Sequence, residues 1–375
     1  MMQLLDSHPK QLLNPLSNEL LVALEDIVDQ IQIESNFCIR HPDYKAWELP
    51  TEAVERFGQL PASLQHKYLS LQLQHFLYGI YYNGSLKTAL APNADSDEQA
   101  LHQKLENNTV LGVDLAFYER LHISNSGKGY FDPGWQVLRQ ESDGSLAVTK
   151  GGLTLHIKRE THLPSNNQSA TVGEEVAIRL PRNLVQNGFY MAVGNAGSSN
   201  HNNHRDSEPQ IVRIYFNLSP EGSVAVMDSL TRQLNAISLS FSFKVLYNPS
   251  DYGRYDSGVL YFDKSDYGVI QPVVEAVYTE TRSHFKAEIP LFTKFLAAGL
   301  ALAEEPNHKF ADQESFGTHR CQMVANGLLE ARQKGDESPE NRMGEIFQHF
   351  SSLGIDLTRP YLNANSEDIY TPLVQ

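Results

Sequence analysis

Residues 210–262 read QIVRIYFNLSPEGSVAVMDSLTRQLNAISLSFSFKVLYNPSDYGRYDSGVLYF. From Ile211 to Asn217 apolar side chains alternate with others, which predicts a strand with Val212, Ile214 and Phe216 toward a core and Arg213, Tyr215 and Asn217 on the opposite face. Ser219, Pro220 and Glu221 then supply an N-cap, a first-turn proline and an early acid, and Val224, Met227, Leu230 and Leu234 recur at helical spacing. Phe241–Tyr247 and Gly258–Phe262 read as two further strands. Lys244 lies in the first of them and Arg254 in the polar, glycine-containing connection between them. This pattern brings three cations, Arg213, Lys244 and Arg254, to one sheet.

The surrounding chain sets the limits. With 375 residues, 41% hydrophobic and 20% charged, it has the balance of one large globular domain or two ordinary ones. A formal net charge of -15 argues against nucleic acid as a partner, because phosphate-dominated affinity needs a basic face. Against that acidity a local group of cations stands out. Cys38 and Cys321 are far apart and lack finger or CxxC spacing, so neither a disulfide framework nor a structural zinc is expected and a reducing cytoplasm fits best. The opening MMQLLDSHPKQLLNPLSNELL has no basic region followed by an apolar run, and no stretch approaches the roughly 20 apolar residues of a membrane span. We expect a soluble, cytoplasmic protein with no membrane partner.

Along the chain, Ser17 to about Lys87 is helical in pattern. Leu20, Leu21, Leu24, Ile27, Val28 and Ile31 form one stripe; Leu64, Tyr68, Leu71, Leu73, Phe76, Leu77, Ile80 and Tyr81 form another, ended by Asn83-Gly84. The polar tract 91–108 reads as a connection leading to a helix near Leu111–Leu121. From Gly129 the texture is β, with short strands at 135–139, 145–148, 153–157, 173–180 and 189–193. Helices are expected again over 266–282 and 321–333. The expected class is α+β: a helical N-terminal region, residues 1–110, packed on a mixed, mainly antiparallel sheet core in residues 111–375. Pro164–Ala170 and Asn195–Pro209 read as loops.

Several segments invite a functional reading and are better explained otherwise. The glycine-rich run 194–204 lacks a GxxxxGK[ST] pattern, and His201, His204 and Asp206 sit among asparagines with no obvious further metal ligand. No GxSxG elbow marks a serine hydrolase, and both cysteines read as buried structural thiols. Lys294–Glu305, KFLAAGLALAEE, reads as a core-crossing stretch. Glu314-Ser-Phe-Gly-Thr-His-Arg-Cys321 packs an acid, hydroxyls, an imidazole and a guanidinium just before an apolar helix; it reads as a capped helix start or, with Arg320, as an anion clamp. Taken singly, Lys244 is explained as a guard on an edge strand, and Arg213 and Arg254 as members of surface ion pairs.

Taken together, NGFYMAVGNAG (187–197), RIYFNLSPEG (213–222), FKVLYNPSDYGRYDSGVLY (243–261) and ESFGTHRC (314–321) resemble the HopA family of bacterial type III effectors and their homologues. The resemblance covers the C-terminal half. It implies a fold similar to that of the phosphothreonine lyase effectors and, for members working beside a kinase-like protein in peptide natural-product pathways, elimination of phosphate from phosphoserine or phosphothreonine.

By motif position, the resemblance implies Lys244 as the base, Arg254 as a phosphate ligand, Tyr261 lining the site and Arg320 as a second late arginine. Where the lyases carry a Lys-x-His pair, this chain has Arg213-Ile214-Tyr215. Arg213 can bind phosphate in place of the lysine, while the acid is left open: Tyr215, His319 from another element, or arginine charge alone. The chemistry asks for such groups, since β-elimination needs a base for a weakly acidic Cα proton and cations for the departing phosphate. Neighbouring guanidiniums and desolvation are the means by which a lysine becomes a base. No cofactor or metal is implied; a phosphorylated peptide substrate and a kinase-like partner are. The competing expectation is a non-catalytic HopA-like protein that binds a peptide or another protein, or an effector recognised by a host.

Overall fold

The computed structural model describes residues 17–34, 37–94, 109–110, 112–198, 209–311 and 314–373, with helices and antiparallel sheets in an α+β arrangement. Helix α1 (Asn18–Gln30) is opened by Ser17, whose side chain accepts from the Leu20 amide, and it buries Leu20, Leu24, Ile27 and Val28. Each fully buried aliphatic chain is worth ~1.5–3 kcal/mol, so this stripe outweighs the cap. The expected helical run is then interrupted. Strands β1 (Gln32–Ile33), β2 (Ile39–His41) and β3 (Tyr44–Trp47) form a small sheet before α2 (Thr51–Gly58) and α3 (Ala62–Leu77). Such short strands offer too few alternations for periodicity to reveal them. Helix α3 buries Leu73, Phe76 and Leu77 but leaves Leu64 and Leu71 exposed, and it runs into one π-helical turn, Tyr78–Tyr82. The stop falls at Asn83-Gly84 as expected; Gly84 has φ 72°, and a Cβ there would lie 2.6 Å from the Tyr255 ring.

The short pair β4 (Thr109–Val110) and β5 (Val113–Asp114) leads into α4 (Leu115–Ser124), which Asp114 caps. The β texture from Gly129 forms a four-stranded antiparallel sheet, ordered β8-β7-β6-β9, from β6 (Tyr130–Gln140), β7 (Leu146–Lys150), β8 (Leu153–Ile157) and β9 (Glu175–Leu180). It has its own small core around Trp135, Val137, Leu146 and Val148.

A seven-stranded sheet organises the remainder. Its strands are β10 (Asn183–Gln186), β11 (Phe189–Val193), β12 (Ile211–Phe216), β13 (Ser242–Leu246), β14 (Gly258–Asp263), β15 (Lys294–Ala297) and β16 (Leu300–Glu304), in the order β10-β11-β13-β14-β12-β16-β15. All its pairings are antiparallel. Lys294–Glu305, expected to cross the core as one stretch, is instead the β15/β16 hairpin, turning at Gly299 (φ 71°), where a Cβ would collide with the Lys286 carbonyl.

Helices cover both faces of this sheet. On one face Val212, Ile214, Phe216, Phe243 and Leu260 pack with Met227 and Leu230 of α5 (Pro220–Ala236) and Ile270 and Val274 of α6 (Tyr267–Thr281). On the other, Tyr215, Val259 and Ala303 join a core formed with α1, α3, α7 (Phe316–Gln333) and α8 (Pro339–Ser352). Strand β12 is therefore buried on both sides, and Tyr215 does not face away from a core as its alternation predicted: the second helical layer makes a second core. Lys244 likewise lies on an interior strand, not an edge. Among the described residues no helix is long and apolar enough to cross a membrane.

Candidate functional site

Register assembles the cluster. Arg213 is paired with Tyr261 across β12/β14, and Lys244 with Val259 across β13/β14. Tyr261 and Val259 are two residues apart on one strand, so Arg213, Tyr261 and Lys244 project on the same face. The Arg213 guanidinium carbon is 5.0 Å from the Tyr261 ring centroid, and the Lys244 ammonium is 5.5 Å from that centroid and 4.4 Å from the centroid of Phe189 on β11. Arg254, in the β13/β14 connection, closes the series at 5.7 Å from Phe189. Cations and rings thus alternate in the order Arg213, Tyr261, Lys244, Phe189, Arg254, each cation held by the negative face of a ring.

The three cations differ in their other partners. Arg213 donates through Nε to Glu305, which also accepts from Lys309 at 2.5 Å. Burial opposes the charge on Arg213, but the Tyr261 and Tyr215 phenols and Glu305 outweigh it and hold its pKa above the usual range. Arg254 grips Asp256 through Nε at 2.5 Å and Nη2 at 2.8 Å, the paired geometry a carboxylate favours. Asp256 accepts in addition from the Tyr78 hydroxyl at 3.1 Å and from Asn83 Nδ2 at 3.2 Å. Burial alone would raise the Asp256 carboxyl; Arg254, then Tyr78 and the nearby Lys244 charge, overcome that and hold it below the carboxylate range. Lys244 has only Gln186 Oε1 at 3.3 Å, with no carboxylate within 4.0 Å among the described residues. It is half-buried, as are Tyr261 and Phe189, so the helical layer leaves this part of the face partly exposed.

The remaining candidates are buried: Tyr215 shares the sheet face of Arg213 beneath the helical layer, and His319 and Arg320 lie within α7. Helix α7 starts at Phe316 with Ser315 as its cap, so His319 and Arg320 fall inside the helix, not ahead of it. Arg320 is wholly buried, its guanidinium carbon 4.8 Å from the Phe316 ring; Nε donates to the Pro360 carbonyl at 2.8 Å, Nη2 to the Leu362 carbonyl at 3.0 Å and Nη1 to His319 Nδ1 at 2.8 Å. Those donors anchor the C-terminal segment, and the structure does not bring Arg320 into the ring-and-cation series. Burial lowers its pKa to about 10, which leaves it charged at neutral pH. His319 is buried, stacked on Phe310, and lowered to about 4 by burial and by the Arg320 charge, so at neutral pH it is an uncharged acceptor. The Tyr215 ring lies between the layers, 6.4 Å from both Tyr82 and Phe316. Its hydroxyl is buried without a regular hydrogen bond, and burial raises its pKa although Arg213 pulls the other way.

Phe189, Asp256, Tyr78, Asn83 and Glu305 are the contributors that sequence reading missed. Phe189 sits in the NGFYMAVGNAG motif and Asp256 two residues after Arg254, so both were within reach of a search for partners. Tyr78 and Asn83 gave no local signal. His201, His204 and Asp206 lie outside the described residues. Among those described, no three His, Cys, Asp or Glu residues stand together as metal ligands, and both cysteines are buried.

Residues 180–362 match the HopA1 effector protein family. The HopA1 segment contains every member of the series from Phe189 to Tyr261, and Arg320 with both its carbonyl partners; Tyr78 and Asn83 lie outside it. Among solved structures, the chain is similar to the effector protein from Pseudomonas syringae pv. tomato strain DC3000, at 15% identity and TM-score 0.39, covering 79% of this chain and 99% of that one. It is also similar to the effector protein from Pseudomonas syringae pv. syringae strain 61, at 15% identity and TM-score 0.43, covering 93% and 99%. Comparison with curated proteins gives no match.

Proposed function

We propose that this protein is a cofactor-free lyase that eliminates phosphate from phosphoserine or phosphothreonine in a partner peptide, a separate kinase having installed the phosphate. The observation that carries this reading is Lys244: a half-buried lysine with no carboxylate within 4.0 Å among the described residues, flanked through shared rings by two arginines. Lys244, as the free amine, takes the Cα proton. The electron pair left on Cα forms the Cα=Cβ bond, the Cβ–O bond breaks, and phosphate departs with that bond's electrons, giving dehydroalanine or dehydrobutyrine. Arg213 and Arg254 bind the phosphate, and Tyr261 and Phe189 wall the site. Because His319 is uncharged and engaged and the Tyr215 phenol is sealed between the sheet and its helical layer, the charge of the two arginines carries the leaving group. Arg320 and His319 anchor the C-terminal segment and take no part in binding the phosphate.

The test is mass spectrometry of a phosphothreonine peptide incubated with the protein. Loss of phosphoric acid, leaving the unsaturated product and not the alcohol, is expected with wild type and absent with Lys244→Ala.

A second reading, a non-catalytic phosphopeptide-binding protein, is favoured by the carboxylates already paired with Arg213 and Arg254. Saturable binding of the phosphopeptide without elimination, in the presence of its kinase partner, would select it.

A further inference from the structure

The donor inventory of Arg254 defines what it can offer a ligand. A guanidinium has five N–H donors. Nε and one edge of Nη2 are committed to Asp256, and Nη2 also lies 3.4 Å from the Tyr78 hydroxyl. Nη1 has no hydrogen-bond partner among the described residues and is not among the buried atoms left without one, so it reaches solvent. Arg213 is arranged differently: Nε is committed to Glu305, while Nη1 and Nη2, the fork that suits two oxygens of one phosphate, make no hydrogen bond among the described residues.

What aims Arg254 comes from the other end of the chain. Tyr78 belongs to the π-helical turn after α3 and stacks on Tyr82 at 4.9 Å; Asn83 follows directly, and its carbonyl accepts from the Tyr255 amide at 2.9 Å. Tyr78 and Asn83 each donate to a different oxygen of Asp256, the same two oxygens that hold Arg254. A buried carboxylate with four donors has little rotational freedom, so the guanidinium bonded to it has little either. π-helical turns, which disrupt a regular helix, recur at functional sites.

We propose that Tyr78 and Asn83 are positioning residues which act through Asp256 to present Arg254 Nη1 to one oxygen of the substrate phosphate, while Arg213 takes two others through its fork. This rests on the phosphate-binding part of the function proposed above and assigns a task in the site to the N-terminal helical region.

Inorganic phosphate is the probe, its affinity measured by calorimetry without turnover and, where elimination occurs, as a product-inhibition constant. Tyr78→Phe preserves the ring stack and the charge and removes one hydroxyl. It is expected to weaken phosphate about 3- to 10-fold, the worth of one hydrogen bond to a charged group, and to fall on KM more than on kcat. In an Arg254→Ala background the same substitution should add nothing, because its effect runs through Arg254. Equal weakening in both backgrounds, no weakening in either, or a wild type that binds no phosphate would overturn the proposal. An intact cycle in a protein that performs no elimination upholds it and sinks the lyase reading instead.

Discussion

The Lys244 ammonium lies 4.4 Å from the centroid of the Phe189 ring, which Arg254 shares at 5.7 Å. A ring between two cations lowers the cost of holding them on one face, at about 0.5–2 kcal/mol for each cation–π contact. Phe189→Leu keeps the apolar bulk and removes the π face. It should lower kcat/KM on a phosphothreonine peptide about 3- to 10-fold while costing less than ~1.5 kcal/mol of stability by urea denaturation.

Arg320 calls for the opposite experiment. Arg320→Ala would leave two carbonyls and the His319 Nδ1 unpaired in a dry site, at a cost of roughly 2–4 kcal/mol. The expected signature is a lower denaturation midpoint, with amide hydrogen exchange at Tyr361 and Leu362 accelerated before the rest. If instead stability held and phosphate binding alone fell, Arg320 would be a ligand-binding residue.

The pH dependence follows from His319. Its pKa of about 4 in the fold lies below the unfolded value near 6.5, so between the two the unfolded chain binds more protons. The contribution is complete above pH ~6.5 and is lost as pH falls through the folded value, a change of roughly 1–3 kcal/mol. His319→Gln, which can still accept from Arg320, should flatten the stability profile between pH ~6.5 and 4. An NMR titration should show the imidazole neutral at pH ~6.

Tyr215→Phe removes a buried hydroxyl that has no regular hydrogen bond. Stability should change by less than ~1 kcal/mol, since the nearest polar neighbour, the Tyr82 hydroxyl, makes no regular hydrogen bond to it. Elimination should stay within about threefold if arginine charge carries the departing phosphate; a loss of a hundredfold or more would instead make Tyr215 the acid.

Two glycines on the C-terminal helices should respond in opposite directions. At Gly317 a Cβ would collide with the Tyr82 ring, so Gly317→Ala should cost ~1–3 kcal/mol. At Gly344, exposed within α8 with nothing within 4 Å, Gly344→Ala should stabilise by ~0.5–1 kcal/mol. Thermal denaturation of the two variants reads both effects.

The strands of the seven-stranded sheet, helix α5 with its Ser219 cap and the stop at Asn83-Gly84 were legible in the sequence, because alternation, helical spacing and capping are set by neighbours a few residues apart. So was the convergence of Arg213, Lys244 and Arg254, since strand and connection alone place them on one sheet. What covers that sheet was not legible. Tyr215 alternates like an outward residue and is buried because a second helical layer, built from both ends of the chain, closes over it. Arg320 has the chemistry of an anion ligand and serves carbonyls 40 and 42 residues away. Tyr78 reaches Asp256 across 178 residues. Periodicity and capping report the local chain; which polar groups meet in a dry interior depends on contacts made only when distant segments pack, and those the tertiary structure alone decides.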